Sequence, residues 1–118
     1  MNAVIKRLLL TLVLLPVLSH PAFAHARLLK TSPLAGAKVL SPLHIILHFS
    51  EALEPAFSGA ILLDKDGRNV SGEPVKVGGM LITLTPGPLP PGVYHVSWHC
   101  VGHDTHRLDG DFSFTVKP

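Results

Sequence analysis

Proline and glycine break this chain into short apolar segments, which limits the folds that it can adopt. The 118 residues include 11 Pro and 10 Gly, and no stretch of helical length shows a 3.6-residue apolar period. The clearest pattern has a period of two: in 44–49, Ile45, Leu47 and Phe49 alternate with the residues between them. That alternation is typical of a strand with one buried face, so the chain is predicted to be all-β.

The same signals place about seven short strands along the chain. They are predicted over 26–31, 44–49, 58–64, 68–77, 80–85, 93–101 and 111–117. Asp66-Gly67 favours a tight hairpin between the third and the fourth of them. Short strands separated by turns every 8–12 residues or so, about seven in all, are typical of a Greek-key β-sandwich or barrel, of which the immunoglobulin-like domain is one type.

Residues 1–24 are predicted to be a signal peptide that is removed on export. Lys6 and Arg7 precede an apolar run that is too short to cross about 30 Å of hydrocarbon, and the small-x-small pattern Ala22-Phe23-Ala24 follows it. The mature domain would then be residues 25–118, which contain no further apolar run of membrane-spanning length. We therefore expect an exported protein that has no membrane span after cleavage.

Charge and cysteine content argue against several classes of function. The chain has 10 Lys+Arg against 8 Asp+Glu, and two of the basic residues lie in the predicted signal peptide. The mature part is therefore nearly neutral and has no Lys/Arg cluster, which argues against binding to nucleic acid or to an anionic membrane.

The single cysteine, Cys100, cannot form an intramolecular disulfide. It shares a predicted strand face with Trp98 and is expected in the core.

The predicted cleavage would give His25 a second donor group. A histidine at a mature N-terminus offers a metal both its imidazole and its α-amine, which together form a small chelate ring. Asp104 and His106 lie two residues apart before the last strand, and in an extended chain such residues point the same way, about 6–7 Å apart. Two imidazoles, an amine and a carboxylate suit Cu(II) in a tetragonal plane. Without a metal, 104–106 would be an Asx-type turn on a polar loop.

Most of the remaining histidines are expected to be ordinary surface residues. His44 and His48 are four residues apart on one strand, as are His95 and His99, and a spacing of about 13 Å is too long for one ion. His99 and His103 are closest to the loop in sequence. They are predicted to surround the metal ligands or to replace one of them.

A series of short segments stands in a fixed order along the mature part. They are His25 after Ala24, Phe49-Ser50-Glu51, Phe57-Ser58-Gly59-Ala60, Pro91-Gly92-Val93-Tyr94, Trp98, Asp104-Thr105-His106 and Gly110-Asp111-Phe112-Ser113-Phe114-Thr115-Val116. Together these segments resemble the CopC family of periplasmic copper-binding (copper resistance) proteins, over essentially the whole mature chain.

The resemblance implies a cupredoxin-like Greek-key β-sandwich that resides in the periplasm and binds one Cu(II) ion per mature chain. Carried over by position, the ligands would be His25, Asp104 and His106. Glu51 matches a family glutamate near the site, where it would hydrogen-bond the amine or a ligand. An inner-membrane copper permease as partner follows from the resemblance alone. Met80 is the only methionine of the mature part, so the thioether site for Cu(I) that some relatives carry is not expected.

The predicted function is copper sequestration, transport or resistance without catalysis, and three other functions compete with it. A blue-copper site would need a Cys thiolate, two His and a weak axial Met, but Cys100 is expected in the core and no Met follows it. A copper oxidase or oxygenase could use the same amine and imidazoles, although a carboxylate ligand would occupy the position that oxygen or substrate needs. A metal-free immunoglobulin-like interaction domain would have the same fold and no site.

Overall fold

The computed structural model describes residues 25–118, so the predicted signal peptide lies outside the described residues. Eight strands are found in the described part: β1 (Leu28–Ser32), β2 (Lys38–Val39), β3 (Ile45–Phe49), β4 (Gly59–Leu63), β5 (Lys76–Gly78), β6 (Leu81–Leu84), β7 (Gly92–Val101) and β8 (Arg107–Val116). A 3₁₀ turn, Pro55–Phe57, precedes β4. Between residues 25 and 118 there is no helix with the length and apolar character needed to cross a membrane.

The strands form two four-stranded sheets that face each other across one core. The strand orders are β1-β3-β6-β5 and β2-β8-β7-β4. All pairings are antiparallel except that of β2 with β8, which is parallel. The all-β prediction is therefore confirmed, and the architecture is a Greek-key sandwich rather than a closed barrel.

The structure corrects one predicted strand, 68–77. The Asp66-Gly67 turn forms, but the chain follows β4 back only as far as Ser71, whose hydroxyl accepts a hydrogen bond from the Leu62 backbone N–H at 2.9 Å. Gly72 then adopts a left-handed φ of 75° and bridges to the residue after β6. Because glycine reaches this φ without steric cost, the hairpin ends there and the chain crosses to the other sheet as β5.

The predicted core face of β7 is confirmed. Tyr94, Val96, Trp98 and Cys100 are all buried, and Cys100 is completely inaccessible. The Trp98 ring meets Phe49 of the opposite sheet edge to face, with ring centroids 5.4 Å apart. This contact joins the two sheets close to the end of the sandwich where β3 and β7 finish.

The fold brings two distant parts of the chain to that same end. β7 and β8 pair along their whole length, up to Val101–Arg107, so the loop 102–106 projects from it. β1 pairs with β3 so that Leu28 lies opposite Phe49, and the segment before β1 therefore reaches the same end. His25 consequently lies beside this loop, although 79 residues separate it from Asp104.

Candidate metal centre

The loop between β7 and β8 is a tight turn built around Asp104. The Thr105 backbone N–H donates to the Gly102 carbonyl at 3.2 Å, and the His106 backbone N–H donates to Asp104 Oδ1 at 3.2 Å. Thr105 has a φ of 64°, in the left-handed region that β-branched residues rarely adopt. Asp104 and His106 thus share one side of the loop because of this turn, and not because the loop is extended. The turn uses Oδ1 and leaves Oδ2 for another partner.

The segment that carries His25 is fastened to the end of β3. The Arg27 backbone N–H donates to Ser50 Oγ at 2.8 Å, and the Ser50 backbone N–H donates to the Arg27 carbonyl at 2.9 Å. Ser50 Oγ also donates to the His25 carbonyl at 3.4 Å. Ala26 is buried, and its carbonyl accepts a weak hydrogen bond from Cys100 Sγ at 3.8 Å. These contacts hold the His25 backbone in position above the loop.

Three side chains converge at this end of the sandwich: His25, Asp104 and His106. Asp104 Oδ2 lies 2.6 Å from His25 Nδ1 and 3.7 Å from His106 Nδ1, and the two Nδ1 atoms are 3.3 Å apart. Metal–nitrogen and metal–oxygen bonds are about 2 Å long, so neighbouring ligand atoms around one ion are about 2.8 Å apart and opposite ones about 4 Å. The three observed distances lie close to or within that range, so these atoms could hold one ion with small movements.

The charges of the group also suit a cation. The Asp104 side chain is only 15% exposed, whereas His25 and His106 are 49% and 63% exposed. Partial desolvation by itself raises the pKa of the Asp104 carboxyl. The hydrogen bonds from the His106 backbone N–H and from His25, together with the nearby imidazoles, outweigh that effect and hold the pKa below its ordinary value. Asp104 is therefore an anion at neutral pH.

The Glu51 side chain lies next to Gly102, at the start of the loop that carries Asp104 and His106. Its Oε1 atom is buried and has no hydrogen-bond partner within residues 25–118. The carboxylate and the Ala26 methyl group fill the space that a Cβ on Gly102 would need. A buried carboxylate oxygen without a donor is costly, so a donor delivered next to Ala26 would stabilise it.

His99 and His103 do not join this group. His103 is mostly exposed, and its Nδ1 lies 3.9 Å from Glu54 Oε1. The His99 ring packs against Gly59, where it is 3.4 Å from the position of a Cβ. In the described part of the chain, the ligand atoms that converge are those of His25, Asp104 and His106. A contribution of His99 or His103 to a metal site stays a prediction.

Sequence reasoning did not assign a role to Ser50 or Gly102, both of which shape the site. Ser50 fastens the segment of His25, and Gly102 leaves room for Glu51. Both stand at strand ends, next to residues that were singled out. Proximity in sequence to Glu51 and Asp104 was the available signal, but the contacts themselves depend on how the two sheets meet.

The chain matches the model of the CopC domain over residues 28–117. It is 38% identical over 108 residues to a copper resistance protein C from Xanthomonas campestris pv. juglandis, with 84% of this chain and 85% of that protein covered.

Two solved structures have a similar fold. CopC from Methylosinus trichosporium OB3b has a TM-score of 0.73 and 34% identity, with 80% of this chain and 95% of that chain covered. PcoC, a methionine-rich copper resistance protein from Escherichia coli, has a TM-score of 0.68 and 38% identity, with 80% and 100% covered. In sequence and in fold, the chain thus belongs to the CopC domain family.

Proposed function

We propose that the mature chain, residues 25–118, is a periplasmic copper-binding protein that sequesters or delivers one Cu(II) ion held by His25, Asp104 and His106. One observation carries this proposal: ligand atoms from the two ends of the mature sequence all lie within 4.8 Å of one another. Copper as the ion is supported by the relatives, which are named copper resistance proteins.

Cleavage before His25 would add a fourth donor to this group. Nδ1, the ring nitrogen nearer to the backbone, is the His25 atom that faces Asp104 Oδ2 and His106 Nδ1. An ion bound by that nitrogen is within reach of an α-amine on the same residue, and the two donors then close a small chelate ring. Two imidazoles, an amine and a carboxylate favour Cu(II) in a tetragonal arrangement. In the uncut chain the backbone nitrogen of His25 belongs to a peptide bond and is not an amine.

We place Glu51 next to that amine. Its buried Oε1 has no donor among the described residues and lies close to Ala26, the residue that follows His25. An N–H of the α-amine would supply the missing donor and would orient the amine towards the ion, as residues around metal ligands commonly do. Glu51→Gln should therefore weaken copper binding without changing the stoichiometry.

The site is accessible enough for cargo exchange. The side chains of His25 and His106 are half or more exposed, so an incoming ligand from another protein can reach the ion without unfolding the sandwich. An inner-membrane copper permease is the proposed recipient on family resemblance alone. A role in exchange, rather than in oxygen chemistry, is favoured because Asp104 fills a position that oxygen would need.

The decisive experiment compares the protein that begins at His25 with a version that has one additional glycine before His25. The extension converts the α-amine of His25 into an amide and should weaken Cu(II) binding at least tenfold, which is about 1.4 kcal/mol, in a competition titration. Without copper, both proteins should give the same far-UV circular dichroism spectrum, so that a difference in affinity does not come from a loss of fold. Equal Cu(II) affinity in the two proteins would disprove the proposed site.

A further inference from the structure

The two sheets leave an open groove along one side of the sandwich, between the edge strands β4 and β5. The groove has a volume of about 850 Å³ and is lined by residues of β4, β5 and β7. β4 is the last strand of one sheet and β5 the last strand of the other. Edge strands present backbone groups with which another strand can pair.

The outer edge of β4 is covered over only half of its length. The Leu62 backbone N–H donates to Ser71 Oγ at 2.9 Å, and the Leu62 carbonyl accepts from the Val70 N–H at 2.8 Å. Backbone groups of alternate residues point to the same edge of a strand, so those of Ala60 point outward as well. On that edge, no partner for Ala60 is found among residues 25–118. The uncovered part of β4 is therefore the part that lines the groove.

The charges in the groove select one kind of occupant. Its lining includes Lys76 and His99 and no acidic residue. Neither of these two takes part in an ion pair in the part of the chain that the structure describes. Ile61 adds an apolar surface that is 41% exposed. The same groove of a second copy would add another Lys76 and no carboxylate, so charge complementarity favours a different, acidic partner.

We infer that this groove binds an extended, acidic segment of a partner protein, which adds a strand to the edge of β4. Main-chain hydrogen bonds to Ala60 would hold the segment, and an acidic side chain on it would pair with Lys76. The groove also reaches Ser58, whose Oγ accepts a hydrogen bond from the Val101 N–H at 3.0 Å. Val101 directly precedes the loop 102–106, which carries Asp104 and His106. A partner bound in the groove would thus lie beside the proposed copper site.

This docking does not depend on copper, so it is tested with the copper-free mature protein. The probes are two capped pentapeptides, Val-Glu-Val-Glu-Val and Val-Lys-Val-Lys-Val, followed by amide NMR. The acidic peptide should shift the amides of residues 58–61 and 75–77 and should slow hydrogen exchange at Ala60 about tenfold or more. The basic peptide should do neither at the same concentration.

Charge reversal provides the matched variants. Lys76→Glu should reverse the preference between the two peptides, whereas Lys30→Glu, on the opposite edge of the same sheet, should leave it unchanged. Equal binding of both peptides, shifts outside the groove, or no binding at all would overturn the inference. So would a mature protein that dimerises through β4, because a second copy would then be the occupant.

Discussion

Gly110→Ala tests how tightly the β7–β8 hairpin, which carries the loop 102–106, is packed. Gly110 lies opposite Trp98 in the β7–β8 ladder. A Cβ at position 110 would collide with Cζ2 of the indole and would lie only 2.6 Å from Cε2 and 3.0 Å from Nε1. Gly110 does not have a left-handed φ, so alanine is acceptable to the backbone and the collision is the only penalty.

The size of the effect follows from how little the indole can move. Trp98 is 7% exposed and is held against Phe49 from the other sheet. Adding a methyl group to such a packed site costs about 1–3 kcal/mol. In a domain of 60–100 residues, each 1 kcal/mol lowers Tm by about 4–8 °C. A cost of about 2 kcal/mol would thus lower Tm by about 8–16 °C.

Unfolding of the copper-free mature protein can be followed by far-UV circular dichroism, which still reports in variants that lack Trp98, the only tryptophan in the chain. Gly78→Ala is the matched control, because a Cβ at that strand position meets no atom within 4 Å. In a Trp98→Leu background the smaller side chain should remove most of the penalty of Gly110→Ala. The packing argument fails if Gly110→Ala and Gly78→Ala unfold at the same temperature, or if the penalty persists undiminished without the indole.

Three further predictions concern the proposed copper site. His106→Ala and Asp104→Ala should each lower Cu(II) affinity at least tenfold (about 1.4 kcal/mol) in a competition titration, whereas His44→Ala should not; equal losses in all three would contradict the assignment. Ser50→Ala removes a hydrogen bond that fastens the segment of His25. It should weaken the free energy of Cu(II) binding by about 0.5–1.5 kcal/mol, and it should lower the free energy of unfolding of the copper-free protein by less. The pKa of Asp104 in the folded protein lies below its ordinary value. The ionised carboxylate therefore stabilises the native state above the ordinary carboxyl pKa, and this stabilisation is lost as the pH falls through the depressed pKa. Asp104 is therefore ionised throughout about pH 5–8, and the pH dependence of Cu(II) binding in this range should have the same slope in Asp104→Asn; a different slope in that variant would show that the carboxylate titrates in this range.

Local patterns were sufficient for the strands and their buried faces. Alternation in 44–49 and 93–101 identified β3 and β7 together with the side chains that they bury, because a strand exposes its two faces with a period of two. Such patterns do not indicate a strand that is held mainly by its neighbour. β2 is only two residues long and lies in a stretch broken by proline and glycine, and its parallel pairing with β8 has no local signal.

The candidate site could likewise be predicted only in part from the sequence. Asp104 and His106 could be linked from sequence because they are two residues apart, although the structure joins them through a left-handed Thr105 rather than an extended chain. The sequence thus linked these two residues through a geometry different from the one observed. The family resemblance predicted Glu51 near the site, but its contact with Gly102 had no counterpart in the sequence, since it arises where the ends of two different sheets meet.

The amino-acid sequence alone was sufficient to predict that this chain forms strands, which side chains they bury, and that histidine and aspartate are available at two distant positions. These properties depend on the chemistry of each residue and its near neighbours. The folded structure was needed to show that His25 lies 2.6 Å from Asp104, that Ser50 fastens the first segment, and that the groove beside β4 stays open. Those outcomes depend on which strands pair and how the two sheets stack, and packing across the whole core selects that arrangement.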